Sequence, residues 1–353
     1  MDEIEFLREL VSIPSLSGQE ADAAAFLVSA MNSLGLDASI DQAGNTVGSR
    51  ACLDADGRVT QEIMLLGHID TVPGAIPVRI KGGRLFGRGT VDAKGPLAAF
   101  VIAAARSKLP LGTRVVVAGA VEEESATSKG ARYLATQYQP DICIIGEPSG
   151  WDGVTLGYKG RILLDYTLAQ PMGHTAGREK GVAETAVAWW NDLQDIVTEF
   201  NQGRERLFDQ LLPSLRQIHT DSDGLTNSIT IKAGIRLPPD FDIENFSARI
   251  NQLAGEASLR CYAYEPATQS NRRTPLARAF NRALRQAGVR PRFKLKTGTS
   301  DMNVVAPLWN CPIVAYGPGD SSLDHTPDEH INLDAYVRAI EVLQDVLEAG
   351  INV

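Results

Sequence analysis

Hydrophobic and polar positions divide the chain into two styles. In the first 160 residues, solid apolar runs alternate with amphipathic stretches. Ile4, Leu7, Leu10 and Val11 fall on one helical face, and Pro14 ends that helix. Phe26, Leu27, Ala30, Met31 and Leu34 mark a second helix that stops at Gly35, with Ser17-Gly-Gln-Glu20 reading as its capping box. Short strands are expected over 38–40 and 46–49. The runs Ile63–Gly67, Thr113–Val121 and Asp141–Gly146 are apolar throughout, as strands buried on both faces are. Between them lie an alanine-rich helix from Pro96 to Arg106 and a second helix over Ser128–Tyr138. Strand–helix alternation of this kind predicts an α/β fold with a mostly parallel sheet.

From about Gly160 the period changes. Arg161–Gln170 and Leu225–Leu237 alternate apolar and polar residues, the signature of half-exposed strands. Helices are expected from Lys180 to about Phe200 and over Ile243–Ala254, with a further strand at Leu259–Tyr264. The pattern predicts a smaller inserted α+β domain at 161–267, one sheet face covered by helices. The first style resumes at Thr274, so residues 1–160 and 268–353 form one discontinuous domain.

At 353 residues, two domains are the expected number, and 44% hydrophobic with 22% charged residues is ordinary globular composition. No apolar run approaches a membrane span, and the acidic, amphipathic start MDEIEFLREL does not resemble a signal peptide; a cytoplasmic location is the expectation. The net charge of −9 argues against nucleic acid as a partner. Cys52, Cys143, Cys261 and Cys311 are scattered with no CxxC pair, and the two that sit in apolar strand-like runs read as buried thiols.

Chemistry collects where the apolar strands end. The first runs into Gly67-His68-Ile69-Asp70, with His68 and Asp70 on one face. The second ends in Glu122-Glu123-Glu124 and the third in Glu147-Pro148; Asp92 follows a glycine-rich turn, and His325 lies in SLDHTPDEHI. The run GRGTVDAKG lacks the Walker spacing and its Lys-Ser/Thr ending, so it is no phosphate loop. Taken singly, these residues could be a core histidine, a helix cap or a solvated acidic face. Taken together they form a mixed nitrogen and oxygen set suited to a two-metal hydrolase, in which cations about 3.5–4 Å apart clamp a carbonyl oxygen.

GHIDTVPG, GRGTVDAKG, VEEESATSKGAR, IIGEPS, GHTA and HTPDEH occur in the order of the motifs of the di-zinc aminoacylase and carboxypeptidase superfamily, which includes acetylornithine deacetylase and succinyl-diaminopimelate desuccinylase. The chain resembles that superfamily along its whole length. The resemblance implies a di-zinc catalytic domain interrupted by a lid or dimerisation domain, with two zinc ions per subunit for which cobalt can substitute. It implies that His68, Asp92 and Glu147 hold one ion and that Asp92, Glu124 and His325 hold the other. Asp70 would orient His68, and Glu123 would be the general base. A shifted register, Glu122 as base and Glu123 as ligand, stays open. The peptide bond after Asp92 is expected to be cis. His174 would reach the site of the other subunit in a homodimer to stabilise the oxyanion, and Asn227 and Arg236 would bind substrate, Arg236 gripping a carboxylate.

Lys296–Asn303 is unusually polar before a helix, and Gly298, Thr299 and Ser300 would offer amides and hydroxyls to a carboxylate. That motif looks most like the branch that frees lysine or ornithine from the C-terminal γ-glutamyl group of a small acidic amino-group carrier protein. N-acetylornithine deacetylation or a related exopeptidase activity is the alternative. Asp301 or Glu265 would face the cationic product, and some of Arg161, Arg178, Lys180, Arg204 and Arg206 would line the carrier's approach, the alternative being a solvated helix face.

Overall fold

The computed structural model of the chain describes residues 2–174 and 180–351. They fall into two compact units. The first comprises Met1–Gly157, Gln269–Leu295 and Ser300–Val353; the second comprises Tyr158–Thr268 and Lys296–Thr299.

In chain order the first stretch runs α1 (Glu3–Ser12), α2 (Ala21–Ser33), β1 (Asp37–Ile40), β2 (Thr46–Cys52), β3 (Gln61–His68), β4 (Arg79–Lys81), β5 (Arg84–Phe86), α3 (Lys94–Arg106), β6 (Thr113–Ala120), α4 (Lys129–Gln137), β7 (Ile142–Ile145) and β8 (Gly153–Tyr158). The second unit holds β9 (Gly160–Pro171), α5 (Val182–Asn201), β10 (Leu212–Ser222), β11 (Thr226–Leu237), α6 (Ile243–Ala254) and β12 (Ser258–Glu265). The chain then returns through β13 (Thr268–Gln269), α7 (Pro275–Gln286), β14 (Arg292–Lys296), α8 (Asp301–Trp309), β15 (Ile313–Ala315), β16 (His330–Asn332) and α9 (Leu333–Glu348).

The large sheet has the order β1-β2-β6-β3-β7-β15-β8-β13, with β14 on β8. Its middle, β6-β3-β7-β15, is parallel. Leu65 faces Val117 on one side and Ile144 on the other, all three fully buried. This explains why these strands carry no alternation. Parallel strands also end on a common edge, so β3, β6 and β7 deliver His68, the glutamate triplet and Glu147 to one side of the sheet, where sites of open α/β sheets form.

The second unit is a four-stranded antiparallel sheet of order β10-β11-β9-β12. Ile162, Leu164, Tyr166 and Leu168 of β9 lie opposite Ile235, Ala233, Ile231 and Ile229 of β11, and this face meets α5 and α6 in a separate core where Trp189 stacks on Tyr166. The alternating sequence foretold this face. It did not foretell β10. That edge strand is exposed along nearly its whole length, so its residues had no reason to alternate.

A three-stranded sheet of order β16-β5-β4 completes the first unit.

Candidate metal centre

The site is assembled around a carboxylate that no solvent reaches. Asp70 is fully buried. Its Oδ2 accepts from Ser17 Oγ (2.7 Å) and from the amide of Glu124 (3.0 Å); its Oδ1 accepts from the amide of Glu123 (3.0 Å). His68 Nδ1 donates to the Asp70 carbonyl at 3.0 Å and lies 3.4 Å from Oδ1. One side chain therefore fixes the loop after α1, the end of β3 and the loop after β6. Holding Nδ1 this way turns His68 Nε2 outward as the available donor atom. Ser17 does not form the expected capping box: α2 starts at Ala21, its N-cap residue Glu20 makes no side-chain cap bond, Ser17 is engaged by Asp70, and Glu20 Oε1 accepts from the amides of Gly18 and Glu122.

Asp92 stands between the two histidines. Its Oδ1 is 3.3 Å from His68 Nε2 and its Oδ2 is 3.0 Å from His325 Nε2. His325 Nε2 is also 2.9 Å from Glu124 Oε1. The Asp92–Ala93 peptide is cis, as the resemblance implied. Donor atoms of His68, Asp92 and Glu124 all lie within 4.8 Å of one another, a set with the imidazole and carboxylate chemistry that divalent zinc-like ions take. Each oxygen of Asp92 faces a different histidine. Glu147, buried at the end of β7, lies outside that tight trio but acts electrostatically on Glu123.

The three glutamates diverge. Glu122 has a left-handed backbone (φ 59°), and its carboxylate accepts from Thr127 Oγ1 (2.6 Å) with Lys129 3.7 Å away. Glu124 meets His325. Glu123 lies between, among His68, Asp301, Glu147 and Glu124.

Charge follows this geometry. Burial pushes the Glu123 carboxyl well up, against the attraction of His68, and the negative Asp301, Glu147 and Glu124 push the same way. Burial likewise raises Glu124, with His325 opposing. Burial alone would lower His68, but its bonds to Asp70 and Asp92 prevail and hold it well above the usual imidazole range. Asp92 is driven far below the usual carboxylate range: burial opposes this, and the bonds to His325 and His68 outweigh it. Bonds to Asp92 and Glu124 carry His325 up to about 10.

A supporting residue went unnoticed in the sequence. Glu329 is fully buried; its Oε1 accepts from the amides of Val91 (2.9 Å) and Asp92 (3.2 Å), and its Oε2 pairs with Arg88 at 2.7 Å. Glu329 thus ties the backbone of Asp92 to the loop that carries His325. Lys94, also buried, donates to the carbonyls of Leu10 and Ile13 and so fastens the end of α1 to the turn after Asp92. Burial pulls its ammonium down to about 8. The only local signal was HTPDEH itself, which drew attention to its histidines.

The other residues singled out lie elsewhere. In the second unit, His174 is exposed, Asn227 is half-buried on β11, and Arg236 donates from Nη1 to Thr299 Oγ1 at 2.8 Å. Gly298 and Thr299 belong to that unit, Ser300 to the first. Ser300 caps α8, accepting from the amide of Met302, while Asn303 Oδ1 accepts from the Ser300 amide. This helix end is thus already partly satisfied by its own side chains. Asp301 is buried beside the Glu123 charge, and Glu265 is buried opposite Arg161 in the β9–β12 register. Arg206 is paired with Asp209 and Arg204 stacks over Phe200, whereas Arg178 lies outside the described residues.

Residues 64–349 match the description of peptidase family M20/M25/M40. A [LysW]-lysine hydrolase of Deinococcus radiodurans is 45% identical over 353 residues, covering 97% of this chain and 95% of that protein. A putative [LysW]-lysine/[LysW]-ornithine hydrolase of Thermococcus kodakarensis is 42% identical over 347 residues, 98% of this chain and 92% of that one. Among solved structures, an M20 family metallo-carboxypeptidase of Sulfolobus solfataricus superposes with a TM-score of 0.75 at 18% identity, over 99% of both chains; that likeness speaks to fold.

Proposed function

This chain belongs to peptidase family M20/M25/M40, and from that premise we propose that it releases lysine, or ornithine, from the C-terminal γ-glutamyl group of a small acidic amino-group carrier protein. The chain is a hydrolase of amide bonds. The observation that carries the reading is the meeting of His68, Asp92, Glu124 and His325, drawn from four distant stretches of chain, with Glu123 beside them.

We assign His68, Asp92 and Glu147 to one cation and Asp92, Glu124 and His325 to the other; zinc fits the donor set, with cobalt as a substitute. When bound, the cations supply Lewis acidity toward the amide carbonyl and toward water. The chain's own residues do the rest. Glu123 takes a proton from the attacking water and returns it to the departing amine, a role that the raised affinity of its carboxyl for a proton favours. Glu122 is occupied by Thr127 and Lys129, which supports Glu123 rather than Glu122 as the base. Asp70 holds His68 and the two glutamate amides in register. Arg236, steadied by Thr299, binds a carboxylate of the substrate with Asn227, and Gly298 and Ser300 contribute to the same recognition.

The first unit would be the catalytic domain and the second a lid that also dimerises. The long, exposed edge of β10 supports a homodimer, because an open edge strand is a ready surface for pairing, and His174 would serve the neighbouring subunit's site; the location proposed is the cytoplasm. Among the described residues no helix is long and apolar enough to cross a membrane. The test is side-by-side turnover of carrier-bound lysine, carrier-bound ornithine and N-acetylornithine, with and without prior chelation. Fast cleavage of N-acetylornithine alone, or undiminished activity after chelation, would overturn the reading.

A further inference from the structure

The stretch that returns from the second unit carries a charge out of keeping with the rest of the chain. From Pro266 to Ser300 there are nine cations and no acidic residue, in a molecule of net charge −9. Some of these cations have structural partners. Arg292 pairs with Asp152 at 2.6 Å, Lys294 donates to the Ser149 carbonyl at 2.6 Å, and Arg285 donates to Asn281 Oδ1 at 3.3 Å. Arg278 and Arg282 do not. They stand one turn apart on the outer face of α7, whose inner face packs Leu276, Phe280 and Leu284 into the core. Both are exposed, and among the described residues neither makes a hydrogen bond or an ion pair.

Both arginines line a recess of about 290 Å³ between α7 and the residues just after α9, where Pro275, Ala279, Gly350 and Ile351 complete the wall. Among the described residues no carboxylate lines it, and Glu348, at the end of α9, accepts from the amide of Lys108 at 2.8 Å. Gln61, the first residue of β3, donates to the Ile351 carbonyl at 2.6 Å. The recess therefore lies at the end of the parallel sheet away from His68, and the strand Gln61–His68 between them spans about 23 Å. Two ordinary roles do not account for the pair. Arginine beside a helix C-terminus can cap its carbonyls, but neither guanidinium donates to the end of α9. Arginine for solubility would serve anywhere on the surface. Arg278 instead sits in the first turn of α7, where the helix dipole disfavours a cation, and it repels Arg282 four residues on. That turn holds no acidic residue to offset either effect.

We infer that this recess is a binding site for a small phosphate ester, separate from the metal centre. The guanidinium forks of Arg278 and Arg282 would grip the phosphate, since a planar fork matches its oxygens two at a time, and the body of the ester would rest on Pro275 and Ala279. A bound dianion offsets both the repulsion between the arginines and the opposing dipole of α7. The recess is close to the lower limit, about 300 Å³, of small-molecule pockets, so it has room for more than a bare ion. The site takes no part in amide cleavage, and its failure would leave the proposed function standing.

The test titrates the metal-loaded enzyme with phenyl phosphate by calorimetry, with inorganic phosphate and phenol as probes of the anion and the ring alone. Wild type is compared with Arg278→Gln/Arg282→Gln and with Arg278→Lys/Arg282→Lys, each checked for its unfolding midpoint and for turnover without added phosphate. Both variants should turn over as wild type does, because the recess is remote from the metal centre. Phosphate that reaches the metal ions does so in all three proteins alike, so the difference between them reads the recess. The glutamine variant is expected to bind phenyl phosphate at least about tenfold more weakly at low salt, and the lysine variant to fall between it and wild type. Wild type should prefer phenyl phosphate to inorganic phosphate and bind phenol far more weakly than either. Equal affinity of wild type and a folded glutamine variant for phenyl phosphate would overturn the site. Inorganic phosphate bound as tightly as the ester would reduce it to an adventitious ion only, and phenol bound as tightly would remove the anion from the recognition; either result overturns the inference.

Discussion

Replacing Glu329 by glutamine keeps its volume and removes its charge. The buried carboxylate now serves the amides of Val91 and Asp92 with one oxygen and Arg88 with the other. An amide offers a single acceptor oxygen, so either the backbone pair or the guanidinium is left facing an NH2 group. Removing one partner of a buried ion pair costs about 3–5 kcal/mol, because the charge that stays is uncompensated. Arg88 keeps 13% of its side-chain surface exposed and a bond to the Gly74 carbonyl, which places the loss near the lower end, about 3 kcal/mol. Burial raises the Glu329 carboxyl even against Arg88 and both amides, so the pair as a whole adds little net stability. Hence Arg88→Met combined with Glu329→Gln should be less destabilised than Glu329→Gln alone, since it removes the stranded charge. Urea unfolding of the chelated proteins, followed by near-ultraviolet circular dichroism, measures both. Glu329→Gln should also bind cobalt more weakly, because the Asp92 backbone loses its anchor. A single variant within about 1 kcal/mol of wild type, or a double variant worse by the full sum of the singles, would refute the reasoning.

Three further outcomes are expected. Glu123→Gln should lower kcat by about 10²–10⁴-fold with the metal content intact, while Glu122→Gln stays close to wild type; the opposite pattern would move the base to Glu122. Entry of a cation requires His325 to give up the proton that Asp92 and Glu124 hold up to about 10, so metal affinity should rise with pH below that value, with protons released on uptake, and calorimetry in buffers of different ionisation enthalpy reads both. Arg236→Lys should raise KM by about tenfold or more and leave unfolding unchanged, as loss of a two-pronged carboxylate contact implies; an unaltered KM would remove Arg236 from substrate recognition.

Most of the parallel sheet was legible because strands buried on both faces must be apolar throughout, as Met64–Leu66 and Val115–Ala118 are. His68, the glutamate triplet and Glu147 were legible because they follow directly on those strands, whereas Asp92 and His325 lie in turns and were picked out by the ordered motifs. What stayed hidden depends on partners far away in the chain. Ser17 sits three residues before Glu20 and resembles a cap, but its hydroxyl is claimed by Asp70, 53 residues on. Glu329 looks like a loop acid until the Asp92 amide, 237 residues earlier, is found against it. β10 escaped notice for a different reason: an exposed edge strand buries neither face, so nothing constrains its polarity.

The Asp70 carboxylate makes three otherwise independent loops share one clamp. A single-residue insertion or deletion between Val121 and Glu123 would swing both glutamate amides off it, leaving Ser17 alone of the three donors on the carboxylate. Variation in loop length near this centre should therefore be all-or-nothing.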